Sequence, residues 1–130
     1  MEPYKILIVD DDPLISEILI HILNQQGQGY LFYKAISGKQ GVEIAKEVLP
    51  NLIIMDWEMP EMNGIEATKE LKSSKETANI PVIISSGVSN SKENMQTAFD
   101  IGVVDFIHKP YDKHELRKKV RETLSKINDI

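Results

Sequence analysis

A chain of 130 residues, 42% of them hydrophobic, is long enough for one well-buried core and too short for two. It has no cysteine, which excludes disulfides, thiolate metal centres and cysteine nucleophiles and favours an intracellular location. The formal net charge is −5, with acidic residues gathered at Asp10, Asp11 and Asp12 and again at Asp56, Glu58 and Glu61, so direct nucleic-acid binding is not expected.

No apolar run approaches the roughly 18 residues of a membrane span, and Met1-Glu2-Pro3 does not open a signal peptide, so a cytoplasmic protein without a membrane segment is expected. Residues 4–9 form a short, β-branched apolar run that ends in three aspartates and predicts a first buried strand. Pro13 suits the first turn of a helix with Asp12 as its N-cap. Leu14, Ile15, Ile18, Leu19, Ile22 and Leu23 recur in pairs every four residues, predicting one apolar stripe down a helix to about Gln26, stopped by Gly27 and Gly29. Residues 30–35 read as a second strand. Ser37-Gly38-Lys39-Gln40 then reads as a capping box opening a helix through Val42, Ile44, Ala45 and Val48, closed by Pro50.

Residues 52–56 predict a third buried strand, an apolar run that halts at one aspartate, Asp56. Asn63-Gly64-Ile65-Glu66 caps a helix to about Ser73, and residues 73–79 read as a polar loop. Residues 81–85 predict a fourth strand, ending in Ser85, Ser86 and Gly87. A helix from about Ser91 to Ile101 follows, with Gly102 as its C-cap, and then a fifth strand over 103–108 that terminates at Lys109-Pro110. Asp112 and Glu115 cap the last helix, which is expected to bury Leu116, Val120, Leu124 and, at its end, Ile127. Its basic residues are interleaved with acidic ones and read as a solvated face.

Five apolar strands alternating with amphipathic helices imply a parallel sheet covered on both faces and joined by right-handed crossovers. In a doubly wound arrangement the ends of strands 1, 3, 4 and 5 share one edge, so Asp10, Asp11, Asp56, Ser86 and Lys109 can converge there. Taken singly these residues are unremarkable: an acidic capping turn, a loop hydroxyl, a lysine before a proline. Their joint occurrence, each at the end of its own strand, is what points to a site.

Carboxylates held together at strand ends repel, by roughly 4 kcal/mol per pair at about 4 Å and an effective dielectric near 20. Relief comes from raised pKa values or from a hard divalent cation, and an oxygen-only donor set points to Mg²⁺ or a similar ion. Because Mg²⁺ shares its shell with phosphate oxygens, the pocket suits a phosphoryl group. An aspartate can itself be the nucleophile, forming an acyl phosphate, while a lysine and a hydroxyl neutralise the equatorial oxygens.

At this point the chain resembles the receiver domain of two-component response regulators over essentially its whole length. The motifs that carry the resemblance are Ile6-Leu7-Ile8-Val9-Asp10-Asp11-Asp12, Asp56-Trp57-Glu58-Met59-Pro60 with Asn63-Gly64, Pro81-Val82-Ile83-Ile84-Ser85-Ser86, and Lys109-Pro110-Tyr111. The resemblance implies a single receiver domain over 1–130 with a flavodoxin-like (βα)5 three-layer sandwich and strand order 2-1-3-4-5. It makes Asp56 the phospho-acceptor, supplied by a phosphohistidine on a histidine kinase or histidine phosphotransfer protein. Asp11 and Asp56 match direct metal ligands, Asp10 a ligand acting through water, and the backbone carbonyl of Glu58 a further contact, for Mg²⁺ or Mn²⁺ in its place. Lys109 would pair with the phosphoryl oxygens, and the bond before Pro110 would be cis.

Ser86 and Phe106 match the family's switch positions, with Phe106 standing where tyrosine is often found. Phosphorylation would draw the Ser86 hydroxyl toward Asp56 and bring Phe106 inward. A surface on helix 4, strand 5 and helix 5 would then meet an output domain, a downstream partner or a second copy of the chain. Glu58 and Val88 match positions where the family varies its dephosphorylation rate. Such a domain catalyses only its own phosphorylation and dephosphorylation. Two other readings compete: a small phosphohydrolase resembling the haloacid dehalogenase superfamily, with Asp10 and Asp12 as its Asp-x-Asp pair, and a degenerate receiver that only scaffolds partners.

Overall fold

Successive side chains of a strand point to opposite faces of its sheet, so a run with no polar alternation must be covered on both sides. In the computed structural model, which describes residues 2–25, 27, 29–87 and 91–127, the apolar runs of this chain meet that demand. The elements follow in the order β1 (Lys5–Val9), α1 (Pro13–Asn24), β2 (Leu31–Ala35), α2 (Gly38–Val48), β3 (Leu52–Asp56), α3 (Gly64–Ser73), β4 (Val82–Ser86), α4 (Lys92–Asp100), β5 (Val103–His108) and α5 (Lys113–Ile127). All strand pairs are parallel and the sheet order is β2-β1-β3-β4-β5, the flavodoxin-like order that was expected.

The single core of the domain is divided by the sheet into two clusters, one on each face. Leu7, Val9, Ile53, Met55, Val82 and Ile84 pack with Ala45, Ala67, Leu71 and Ala98 of α2, α3 and α4. Ile6, Ile8, Leu52, Ile54 and Ile83 pack with Leu19 and Leu23 of α1 and Leu116, Val120 and Leu124 of α5. Each fully buried aliphatic side chain contributes about 1.5–3 kcal/mol, which is why the central strand β3, buried along its whole length, fixes the register of the rest. That register aligns Val9 with Met55, Asp56 with Ser85 and Ser86 with His108, bringing four strand ends to one edge.

The helix starts follow local chemistry. Asp12 caps α1 by accepting from Leu14 N–H, with Pro13 as the first helical residue. Asn63 and Glu66 complete a reciprocal capping box at α3. Ser37 accepts from Gln40 N–H, but Gln40 Oε1 accepts from Ile36 N–H at 2.7 Å, so the expected box at α2 is closed one residue earlier than its sequence suggests. Gly102 stands one residue beyond the C-cap, Ile101, at φ +112°, and β4 runs from Val82 to Ser86 because Pro81 has no N–H for the ladder.

Two expectations about the core fail. Leu14 is 65% exposed and Ile18 40%, whereas Ser16 is buried. At 100° per residue the buried arc of α1 is centred near Leu19, and Leu14 and Ile18 fall about 140° and 100° away from it. Ile127 is 39% exposed: it sits in the last turn of α5, where it lines an open cleft with Asn79, Pro81 and Val104. The segment read as a polar loop also holds a buried anchor, for Thr77 is fully buried and its hydroxyl donates to the Leu71 carbonyl at 2.6 Å. The expected end of the first helix, at about Gln26, lies outside the described residues. Among the described residues no helix is long and apolar enough to cross a membrane.

Candidate functional site

Each strand end is held by backbone hydrogen bonds before its side chain does anything. Asp10 extends the β1 ladder by donating from its N–H to the Ala35 carbonyl at 3.1 Å, and its Oδ1 accepts from Asp12 N–H at 2.9 Å. After Asp56, Trp57 N–H donates to the Ser85 carbonyl at 2.8 Å and the Trp57 carbonyl accepts from Gly64 N–H at 2.9 Å. This last contact requires glycine, since a Cβ at position 64 would lie 2.3 Å from the Asp56 carbonyl oxygen. Ser86, 2% exposed, accepts on its carbonyl from Lys109 N–H at 2.9 Å. The Lys109-Pro110 bond is cis, as expected.

The side chains then converge. Lys109 Nζ donates to Asp56 Oδ1 at 3.1 Å and to Asp10 Oδ2 at 3.3 Å. Carboxylate oxygens of Asp10, Asp11 and Asp56 all lie within 4.8 Å of one another, the first and last residue buried and Asp11 exposed. Burial pushes the Asp56 carboxyl up to about 6; the Lys109 hydrogen bond opposes that rise and the neighbouring charge of Asp10 adds to it. Asp10 is raised for the same first reason, burial, against the hydrogen bond from Asp12 and the charge of Lys109. Burial alone would lower Lys109, but its pairing with Asp56 and Asp10 outweighs this and raises it. Three carboxylates thus face one ammonium, leaving an excess of negative charge on oxygen donors only, the donor chemistry that a hard divalent cation requires.

Asp12 does not join the cluster. Its carboxylate is spent on capping α1, so the Asp10-x-Asp12 pair that would mark a phosphohydrolase is divided between two tasks. The Glu58 side chain is exposed beside the site. Phe106 is 4% exposed, its ring stacked on Trp57 with centroids 6.1 Å apart, so it already lies inward in this structure and the expected inward movement must begin from another arrangement. Val88 lies outside the described residues.

Two participants were not assigned from sequence. Gly64 could have been suspected, because a glycine directly after a helix cap allows backbone to approach backbone. Tyr111 could not: its hydroxyl lies 2.7 Å from Ser85 Oγ, and this contact across β4 has no sequence signal beyond the Lys109-Pro110-Tyr111 run. Lys119 also ties α5 to β5, pairing with Asp105 at 3.2 Å and Glu115 at 3.1 Å and donating to the Phe106 carbonyl.

Comparison with known proteins decides the family. The family model described as the response regulator receiver domain matches residues 6–121. The chain belongs to the response regulator receiver family. This receiver domain is 32% identical over 97% of its length to the DNA-binding dual master transcriptional regulator RpaA of Synechocystis sp., of which it covers 51%. It is 35% identical over 92% of its length to Protein PilH of Pseudomonas aeruginosa, of which it covers 98%. Among solved structures it is similar to the signal receiver domain of a signal transduction histidine kinase from Syntrophus aciditrophicus, with TM-score 0.84, 32% identity and coverage of 98% and 94% of the two chains. It is also similar to the Vibrio cholerae chemotaxis protein CheY4, with TM-score 0.85, 26% identity and coverage of 94% and 99%. The receiver spans about half of RpaA and 30% of a protein-glutamate methylesterase/protein-glutamine glutaminase of Methanococcus maripaludis. Membership of this family carries a role in two-component signalling.

Proposed function

We propose that the chain, over residues 1–130, is a phosphorylation-operated switch of a two-component system, located in the cytoplasm, in which Asp56 accepts a phosphoryl group from a phosphohistidine on a histidine kinase or phosphotransfer protein. The observation that carries this reading is the Asp56 carboxylate at the end of a fully buried strand, 3.1 Å from Lys109 and clustered with Asp10 and Asp11. Above its pKa of about 6 the carboxylate is ionised and needs no general base. An Asp56 carboxylate oxygen forms a bond to phosphorus as the bond from phosphorus to the donor's imidazole nitrogen breaks, and the imidazole leaves.

Lys109 meets one phosphoryl oxygen with its ammonium and thereby leaves Asp10 and Asp56 less neutralised than before. Ser86, buried at the end of the neighbouring strand, supplies a hydroxyl to another. Asp11 and Asp56 directly, Asp10 through water and the backbone carbonyl of Glu58 would hold Mg²⁺, or Mn²⁺ in its place. When bound, the ion offsets the negative charge of the carboxylates and the incoming phosphoryl group. Movement of Ser86 toward the modified aspartate shifts the end of β4, and Phe106 and the face built by α4, β5 and α5 present the result to a partner, an output domain or a second copy of the chain.

The test is transfer from a phosphohistidine-bearing donor in the presence of Mg²⁺, followed by phosphorus NMR. An acyl phosphate resonance that disappears with hydroxylamine supports the reading. Transfer of phosphate to water with no acyl phosphate on the chain, undiminished in Asp56→Asn, contradicts it.

A further inference from the structure

Three aromatic rings form a continuous file from the residue after Asp56 to the surface of α4. Trp57 is fixed by its backbone on both sides, to Ser85 and to Gly64, so its indole follows any shift of the strand end. The indole stacks on Phe106 with centroids 6.1 Å apart and an interplanar angle of 27°. Phe106 in turn meets Phe99 edge-on, with centroids 5.1 Å apart and an angle of 85°. Both separations fall in the roughly 4.5–7 Å range in which aromatic pairs attract beyond simple burial. Phe106 is buried and Phe99 is 42% exposed, so the file begins beside the phosphorylation pocket and ends in solvent.

Phe106 has no hydroxyl, so packing alone holds its ring. Its backbone is anchored separately, by strand pairing with Ile84 and by the Lys119 ammonium on its carbonyl. The side-chain torsions are therefore the freedom that remains, limited by the packing of the core on this face, in which the two neighbouring rings take part. Ala98 and Met95, on the same helix as Phe99, pack into the core beneath it, so a change in the Phe106 ring is felt by α4 as a whole.

We propose that Trp57 is a positioning residue that holds Phe106 inward and, through it, sets the orientation of Phe99 on the surface of α4. The inference rests on the phospho-acceptor reading of Asp56 only for the origin of the signal; the coupling of the three rings stands in the resting protein. It gives the Asp56 end of β3 a second route to α4, by ring contact, beside the one through the Ser86 hydroxyl.

Fluorine NMR of the full chain labelled with 4-fluorophenylalanine tests it, because the chain has 3 phenylalanines. Phe32, paired edge-on with Tyr30 on the far edge strand β2, is the internal control. Trp57→Met, which keeps much of the side-chain volume, and Trp57→Leu, as a second ring deletion, are expected to shift the Phe99 resonance and leave Phe32 in place, with Trp57→Phe restoring it. In a Phe106→Leu background the same Trp57 substitutions are expected to leave Phe99 unmoved. A Phe99 resonance indifferent to loss of the Trp57 ring, or equally displaced with and without Phe106, would overturn the proposal. Acetyl phosphate with Mg²⁺ adds a separate arm, read by intact mass. Absence of any phosphoryl adduct on the wild type would refute the phospho-acceptor reading while the resting spectra still decide the role of Trp57. With the adduct formed, loss of its effect on Phe99 in Trp57→Met supports the coupling, and an unchanged effect contradicts it.

Discussion

The Lys109 ammonium lies 3.1 Å from Asp56 Oδ1, although 53 residues separate the two in the chain. The same nitrogen reaches Asp10 at 3.3 Å, so one half-buried cation holds the ends of β1, β3 and β5 together. Replacing it with methionine keeps the stem and removes the charge, leaving two buried carboxylates unpaired. Lys109→Met is expected to lower stability by about 1–3 kcal/mol at neutral pH and to slow phosphoryl uptake by about 10²-fold. Urea unfolding and the time course of labelling with acetyl phosphate measure the two effects. Uptake at the wild-type rate would remove Lys109 from the chemistry.

Asp56, although paired with Lys109, gives a pH dependence opposite in sign to the usual one for a salt-bridged carboxylate, because burial outweighs the pairing. Its folded pKa of about 6 stands above the unfolded value of 3.8, so the folded chain holds the proton more tightly and loses stability as pH rises through that window. The penalty is absent below about pH 3.8 and complete above about pH 6, and amounts to about 2–3 kcal/mol. Asp10, also raised, acts in the same direction, and the pairing of Lys109 is lost only above the ordinary lysine range. In metal-free buffer Asp56→Asn is therefore expected to gain on the wild type between pH 4 and pH 7. Mg²⁺ is expected to raise the wild-type melting temperature at pH 7 more than that of the variant. A stability difference that stays flat with pH would show that Asp56 is not destabilised by its surroundings.

Gly64 separates steric need from proximity. Gly64→Ala would drive a Cβ to 2.3 Å from the Asp56 carbonyl oxygen, a clash with backbone that cannot turn aside. The expected cost is about 3 kcal/mol. Gly87→Ala, whose Cβ would meet among the described residues only the Lys109 side chain, at 3.7 Å, is expected to stay within about 0.5 kcal/mol of the wild type. Denaturant midpoints of the two variants provide the comparison, and equal losses would refute the argument.

The ends of the two faces show what could and could not be read from sequence. The fully apolar run before Asp56 announces a central strand because no other environment buries both of its faces, and the strand order follows once five such units alternate with helices. Asn63 and Glu66 announce a helix start because the reciprocal bonds are local. Periodicity cannot say which arc of a helix meets the sheet, so it assigns Leu14 and Ile18 to the apolar stripe although Ser16 is the residue that is buried. Nor can it say where a helix outruns its sheet, as α5 does at Ile127. Contacts such as Tyr111 with Ser85 or Phe106 with Trp57 join residues far apart in the chain, and no local pattern encodes them. Leu124→Ala is accordingly expected to cost about 2–5 kcal/mol, and Ile127→Ala only about 0.5. Equal destabilisation of both variants in urea titrations would place Ile127 in the core after all.

Asp56 carries the central claim, that a carboxylate raised toward neutrality at a strand end is the group that is modified. The most direct measurement is mass spectrometry of the chain after treatment with acetyl phosphate and Mg²⁺, with borohydride trapping to locate the acyl phosphate. One phosphoryl group confined to Asp56, and none on an Asp56→Asn variant that retains its fold, is the expected result. A phosphoryl group located on another residue of the wild type, or stoichiometric labelling of Asp56→Asn, would contradict it.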